Sequence, residues 1–150
     1  MRGVEMVRLS GVKRLIVVKL DKTLEEDYDS ISDSTIGHQN FSSLIRNRAT
    51  GTIRSKRYTS VQDLTDLQYL VHPDIATIYS IYGAISNPIL VEEYLELSLA
   101  DLFQLTEVEI ACATTQIISG FRHLSEVPVA VELDEIRVSL AGRVKIGNDF

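Results

Sequence analysis

The sequence predicts an α+β fold from three observations. Short runs rich in β-branched residues alternate with turn signals through the first two thirds of the chain. An apolar pattern of helical period, opened by a capping box, runs from Thr106 to Leu124. Alternating apolar residues then flank a glycine turn at Gly142. The expected order is five meander-like strands with one embedded helix, followed by a long helix and a β-hairpin.

Residues 11–20 are apolar and β-branched and predict a strand, whereas residues 21–35 are acidic, Ser-rich and without period, which predicts a mobile linker. From Ile36 the stretch IGHQNFSSLIRNRATGTIRSKRYTS divides into short strand-like pieces at the turn signals Ile36-Gly37 and Thr50-Gly51. At Thr59 the period becomes helical, with Val61, Leu64, Leu67, Leu70 and Val71 on one face and Thr59 and Gln62 as a capping pair; Pro73 ends the helix. Two strands, 75–81 and 88–91, follow with a turn at 83–87, and then a short amphipathic turn around Ser98 to Leu102. In the long helix Thr106 caps the first turn and Glu109 answers it, while Ile110, Ala113, Ile117, Phe121 and Leu124 recur at helical spacing. The hairpin places Ile136, Val138 and Leu140 on one strand, turns at Ala141-Gly142, and returns through Val144 and Ile146.

A chain of 150 residues, 45% hydrophobic and 24% charged, has the composition of one soluble globular domain. A net charge of -6 and a pI near 5.0 supply no basic field for a phosphate backbone, so no nucleic-acid partner is expected. Charge is uneven, with a basic segment 1–20 ahead of an acidic segment 21–34; such runs can pair within the molecule or bind a partner but are usually solvated surface. The apolar run Leu15 to Val18 is too short to cross a bilayer and lacks a secretory cleavage site, which predicts no membrane partner and a cytoplasmic or nuclear location. Cys112 is the single cysteine, so there is no internal disulfide and no multi-thiolate metal site. His38, His72 and His123 are too scattered in sequence to define a ligand set.

Several segments resemble the first half of a protein kinase. IGHQNFSSL is similar to the I-G-x-G-x-F-G-x-V loop, ATGTIRSK to the T-G…V-A-I-K strand, and DLTDLQYLVHPDI to E-I-x-L-L-x-x-L-x-H-P-N-I. ILVEEYLELSLADL resembles the strand, hinge and following helix, and LTEVEIACATTQIISGFRHL the long helix before the catalytic loop. Finally, VPVAVELDEIRVSLAGRVKIGN, residues 127–148, has the layout of the catalytic loop and the strand after it. The resemblance covers about residues 36–148 and implies a truncated protein kinase-like fold. Residues 1–35 would form an extension or linker with one strand. Residues 36–92 would form an antiparallel five-stranded lobe with one helix, and residues 93–150 the hinge and an incomplete second lobe.

Carried over position by position, the family roles fall on altered residues. Lys56 matches the strand lysine that grips phosphates, and Asp63 stands one methylene short at the position of the helix glutamate that orients it; the alternative is that Lys56 is one more exposed lysine beside Arg54 and Arg57. Gly37 alone survives of the glycine loop, since Gln39 and Ser42 occupy the other glycine positions and obstruct backbone approach to phosphate. Glu93 and Leu95 match the hinge that would border adenine. Ala130 takes the place of the proton-accepting Asp, Glu132 that of the loop Lys, and Glu135 and Asn148 those of the metal-binding Asn and Asp. A one-residue shift would instead put Asp149-Phe150 on the metal-binding pair, and Glu132 or Asp134 would be the substitute bases.

An alanine methyl cannot accept a proton, so the resemblance implies a pseudokinase: no intact catalytic site, no confident metal site, no cofactor beyond weak ATP and magnesium, and a protein-binding or regulatory role. The alternatives are a divergent Ser/Thr-type kinase using Lys56, Asp63, Glu132 or Asp134 and a shifted Asp149, or a truncated relic without function. In this register Arg54, Arg137 and Glu92 surround the adenine slot, which suggests an Arg-Glu-Arg cluster in its place, unless strand alternation turns the arginines outward. The apolar face of the 106–124 helix would pack on second-lobe helices beyond Phe150. Left uncovered, it predicts self-association, a protein partner, or a piece of a longer product.

Overall fold

The computed structural model describes residues 5–7, 16–19, 21–32, 43–59, 70–83, 86–102, 104–125, 131, 135–139 and 141–147. It is a mixed α+β protein that divides into two compact units. One comprises Met1–Gln68 with Ile78–Tyr94, the other Tyr69–Thr77 with Leu95–Phe150.

The first unit is built on β1 (Glu5–Val7), β2 (Ile16–Lys19), β3 (Tyr28–Ser32), β4 (Ser43–Asn47), β5 (Ile53–Tyr58), β6 (Ile78–Tyr82) and β7 (Ile89–Glu93). They form one seven-stranded sheet in the order β1-β2-β6-β7-β5-β4-β3. The antiparallel five-stranded sheet expected from residues 36–92 is thus corrected in two respects: β1, β2 and β3 from residues 1–35 belong to the sheet, and β2 runs parallel to β6, with Val17 opposite Ser80 and Lys19 opposite Tyr82. β3, β4 and β5 form an antiparallel meander, and β5 continues against β7 with Arg54 opposite Glu93 and Lys56 opposite Val91. The Asn47-to-Thr52 turn between β4 and β5 is closed by the Asn47 Oδ1, which accepts from the N–H groups of Ala49 and Thr50, and by Gly51 at φ +71°.

The expected linker is a further correction. Residues 21–32 carry a 3-10 turn at Leu24–Glu26 and then β3. Leu24 and Tyr28 are buried in a cluster with Ile45, Tyr82 and Val91, and Ile89 packs against it. Tyr28 meets Tyr82 edge to face, ring centroids 6.1 Å apart. Burying a side chain of this size is worth about 1.5–3 kcal/mol. Burial of Leu24 and Tyr28 acts together with the β3–β4 ladder to order a segment whose local sequence shows no period.

In the second unit β8 (Leu97–Ser98), β9 (Ile136–Val138) and β10 (Val144–Ile146) form a three-stranded sheet in the order β10-β9-β8. The β9–β10 hairpin turns at Gly142, φ +74°. Ser98 caps the 3-10 turn Leu99–Asp101, accepting from the N–H of Ala100 at 3.2 Å. Helix α1 (Glu107–Leu124) begins at the expected cap: Thr106 Oγ1 accepts from the N–H of Glu109, and the Glu109 carboxylate accepts from the N–H of Thr106. Ala113, Ile136 and Val144 form the core between helix and hairpin, joined by Leu99, Ile117, Val131 and Val138. Among the described residues no helix is long and apolar enough to cross a membrane.

Candidate functional site

In the first unit, Lys56 projects from β5 on the face that also carries Val91, Ser43 and, two residues away, Arg54. It is half-buried and forms no ion pair with a described residue. The Arg54 guanidinium lies over the Tyr79 ring, its carbon 4.0 Å from the ring centroid, and donates to the Ile53 carbonyl. Glu92 is buried, and its Oε1 accepts from Arg57 Nε at 3.1 Å.

The Arg-Glu-Arg cluster is therefore corrected. Glu92 lies opposite Ser55, so strand alternation puts it on the face of Arg57 and opposite to that of Arg54. A buried carboxylate must have a partner, and Arg57 supplies it. Arg137 belongs to the second unit, in β9 opposite Lys145.

The first unit also contains an ionic network that sequence reading left as solvated surface. Lys19 Nζ donates to Asp27 Oδ2 at 2.7 Å and to the Tyr82 hydroxyl at 2.8 Å, Lys22 Nζ donates to Asp27 Oδ1, and the Tyr82 hydroxyl donates to Asp27 Oδ2 at 2.6 Å. Burial alone would raise the Asp27 carboxyl, but the donors Lys19, Lys22 and Tyr82 outweigh it and hold the group well below the usual carboxylate range. Burial first, and then the bond to and charge of Asp27, push the Tyr82 phenol well above its ordinary value. The signal was present as a basic run followed by an acidic one. What the sequence lacked was Tyr82, which arrives from a distant strand.

In the second unit three of the segments singled out from the sequence meet. Pro73 sets the turn of His72-Pro73-Asp74-Ile75, closed by the Ile75 N–H donating to the His72 carbonyl at 3.2 Å and the Asp74 N–H donating to His72 Nδ1 at 3.2 Å. Ile75 forms a parallel bridge with Ile146 of β10: the Ile146 N–H donates to the Asp74 carbonyl at 2.9 Å and the Ala76 N–H to the Ile146 carbonyl at 2.8 Å. The buried Asp74 carboxylate accepts from Arg143 at 3.2 Å. His72 stacks on His123 of α1 with centroids 4.7 Å apart. Burial and the neighbouring His123 lower the His72 pKa, partly offset by Asp74. Gly120 of α1 admits the close approach, since a methyl there would lie 2.8 Å from Ile146 Cδ1 and 3.2 Å from the Asp74 carbonyl oxygen.

Of the remaining expected site residues, Glu93 ends β7, Leu95 is buried in the second unit, and Glu135 is half-buried, its carbonyl accepting from the Gly147 N–H at 2.7 Å. Gly37, Asp63, Ala130, Glu132, Asp134, Asn148 and Asp149 lie outside the described residues, as does most of the expected 59–71 helix. Among the described residues no group of three or more His, Cys, Asp or Glu side chains is placed to hold a metal ion.

The exposed side of α1 is apolar. Val108, Ile110, Ile118 and Phe121 are 72%, 51%, 46% and 40% exposed, and an open depression is lined by Glu107, Val108, Ala111, Cys112, Thr115 and Gln116. It is an open apolar surface and not an enclosed pocket. In comparison with known proteins, no family model matches this chain and no curated protein matches it.

Proposed function

We propose that this chain is a catalytically degenerate protein kinase-like domain that works by binding another protein chain. One observation carries the reading: the His-Pro-Asp-Ile segment, the 107–124 helix and the GRVKI strand, three segments picked out separately by their resemblance to kinases, pack on one another through Ile75, Gly120 and Ile146. Further support comes from β4, β5, β6 and β7, which lie in one sheet at segments where strands were expected. The loss of chemistry rests on residues 127–148, where Ala130 replaces the proton acceptor and Asn148 offers only a neutral amide oxygen to a metal. General-base help is ordinarily worth about 10²- to 10⁴-fold, and a substitute carboxylate misplaced by about 1 Å forfeits about 10²-fold of it. The exposed apolar side of α1 is the binding surface of this proposal.

A thermal-shift titration of the full chain with ATP and with ADP, each with and without magnesium, tests the reading. The expected result is no magnesium-dependent stabilisation at millimolar nucleotide and no transfer of labelled γ-phosphate to the chain or to a generic protein acceptor. Magnesium-dependent stabilisation together with phosphate transfer that Lys56→Met abolishes would overturn it in favour of an active, divergent kinase.

A further inference from the structure

We propose that the partner of the α1 face is a second copy of this chain, docked helix against helix in antiparallel orientation. This inference rests on the protein-binding reading above and names the partner. At 3.6 residues per turn, Glu107, Ile110, Ala111, Thr114, Ile118 and Phe121 fall within an arc of roughly 100°. That arc adjoins the buried side of the helix, where Ala113, Gly120 and Leu124 lie. Its apolar members are exposed, and Thr114 near its middle and Ala111 at its edge are small enough for two backbones to approach closely.

The stripe is complementary to itself when reversed. A two-fold axis near Thr114 sets Ile110 of one copy beside Phe121 of the other and Ala111 beside Ile118, and these pairs stay on matching sides of the contact. The same axis sets Glu107 beside Arg122, so each end of the interface gains an opposite-charge pair. Neither residue forms an ion pair with a described residue of its own chain, whereas Glu109, the other acidic residue of the first turn, is committed to the Thr106 cap. Parallel docking would set Glu107 against Glu107 and Arg122 against Arg122. Antiparallel docking also aligns the helix dipoles favourably.

Sedimentation equilibrium of the full chain is expected to show a dimer at about 100 µM or below. Glu107→Arg and Arg122→Glu should each weaken the dimer on the order of tenfold, and the double variant should restore it to within about threefold. Both reversals disfavour the helix dipole, so their effects on helix stability add in the double variant and cannot produce the rescue. In a Cys112→Ser background, Thr114→Cys should form a disulfide between two chains on mild oxidation. A monomeric wild type, unchanged single variants, or a double variant as weak as the singles would overturn the proposal. The outcomes separate from those of the nucleotide titration. A monomer without nucleotide binding removes the dimer alone, whereas phosphate transfer by an intact dimer removes the pseudokinase reading alone.

Discussion

Asp27 is held by three donors, Lys19 of β2, Lys22 of the turn after it and Tyr82 of β6, and it links protonation to stability at both ends of the pH range. Its folded pKa lies below the ordinary value, so its stabilisation is complete above about pH 4 and is lost as pH falls through the lowered value. Tyr82 has the opposite sign: its folded pKa is raised, so stability is complete below about pH 10 and is lost as pH rises beyond it, because only the unfolded chain ionises readily there. Tyr82→Phe is expected to remove most of the alkaline loss of the first unit while leaving the acid limb, which Asp27 keeps through Lys19 and Lys22. Urea denaturation from pH 3 to 11, with the variant beside the wild type, measures both limbs; an unchanged alkaline limb would show that Tyr82 is not its source. None of this was readable from residues 21–35, since the partners that order the segment, Tyr82 and Ile45, are remote in sequence. The Arg57–Glu92 pair teaches the same lesson about register: both residues were visible, but a one-residue alternation decided which arginine met the carboxylate.

At the scale of elements, local signals were legible and long-range ones were not. The 107–124 helix announced itself through the Thr106–Glu109 box and its apolar period, and the hairpin through alternation around Gly142, because each feature is written within a few residues. β3 escaped for a physical reason: a register irregularity between Ser30 and Ser32 breaks its alternation, and its inward residue Tyr28 gains its burial from β6. The parallel β2–β6 pair has no local signature at all. Gly120 shows how an element can be tuned against its own propensity. In an exposed helix interior Gly→Ala stabilises by about 1 kcal/mol. Here the added methyl meets buried Ile146 and the Asp74 carbonyl, so Gly120→Ala is expected to destabilise by about 1–3 kcal/mol, read as a lower urea midpoint at unchanged slope. A rise in the midpoint would mean that α1 can shift away from the His72–Ile75 turn at no cost.

At the scale of the whole molecule, the α+β class was legible and the number and direction of the sheet strands were not. Of the expected site residues, Lys56, Glu93, Leu95 and Glu135 fall among the described residues. If the α1 face joins two copies, folding and association are linked by mass action. The melting temperature should then climb by roughly 1–4 °C for each tenfold rise in chain concentration, and Arg122→Glu should flatten that slope. Concentration-independent melting of the wild type would count against the dimer.

The parallel pairing of β2 with β6 fixes a schedule for synthesis. β3, β4 and β5 can zip together as neighbours soon after they leave the ribosome, and β1 can cover one edge of β2, but the other edge of β2 must wait until residues 78–82 have emerged. Until then one edge of the apolar Ile-Val-Val segment keeps its backbone groups unpaired and is open to the wrong strand. This protein is thus expected to lean on chaperones that shield nascent chains, and slowing translation just before β6 should lower its soluble yield.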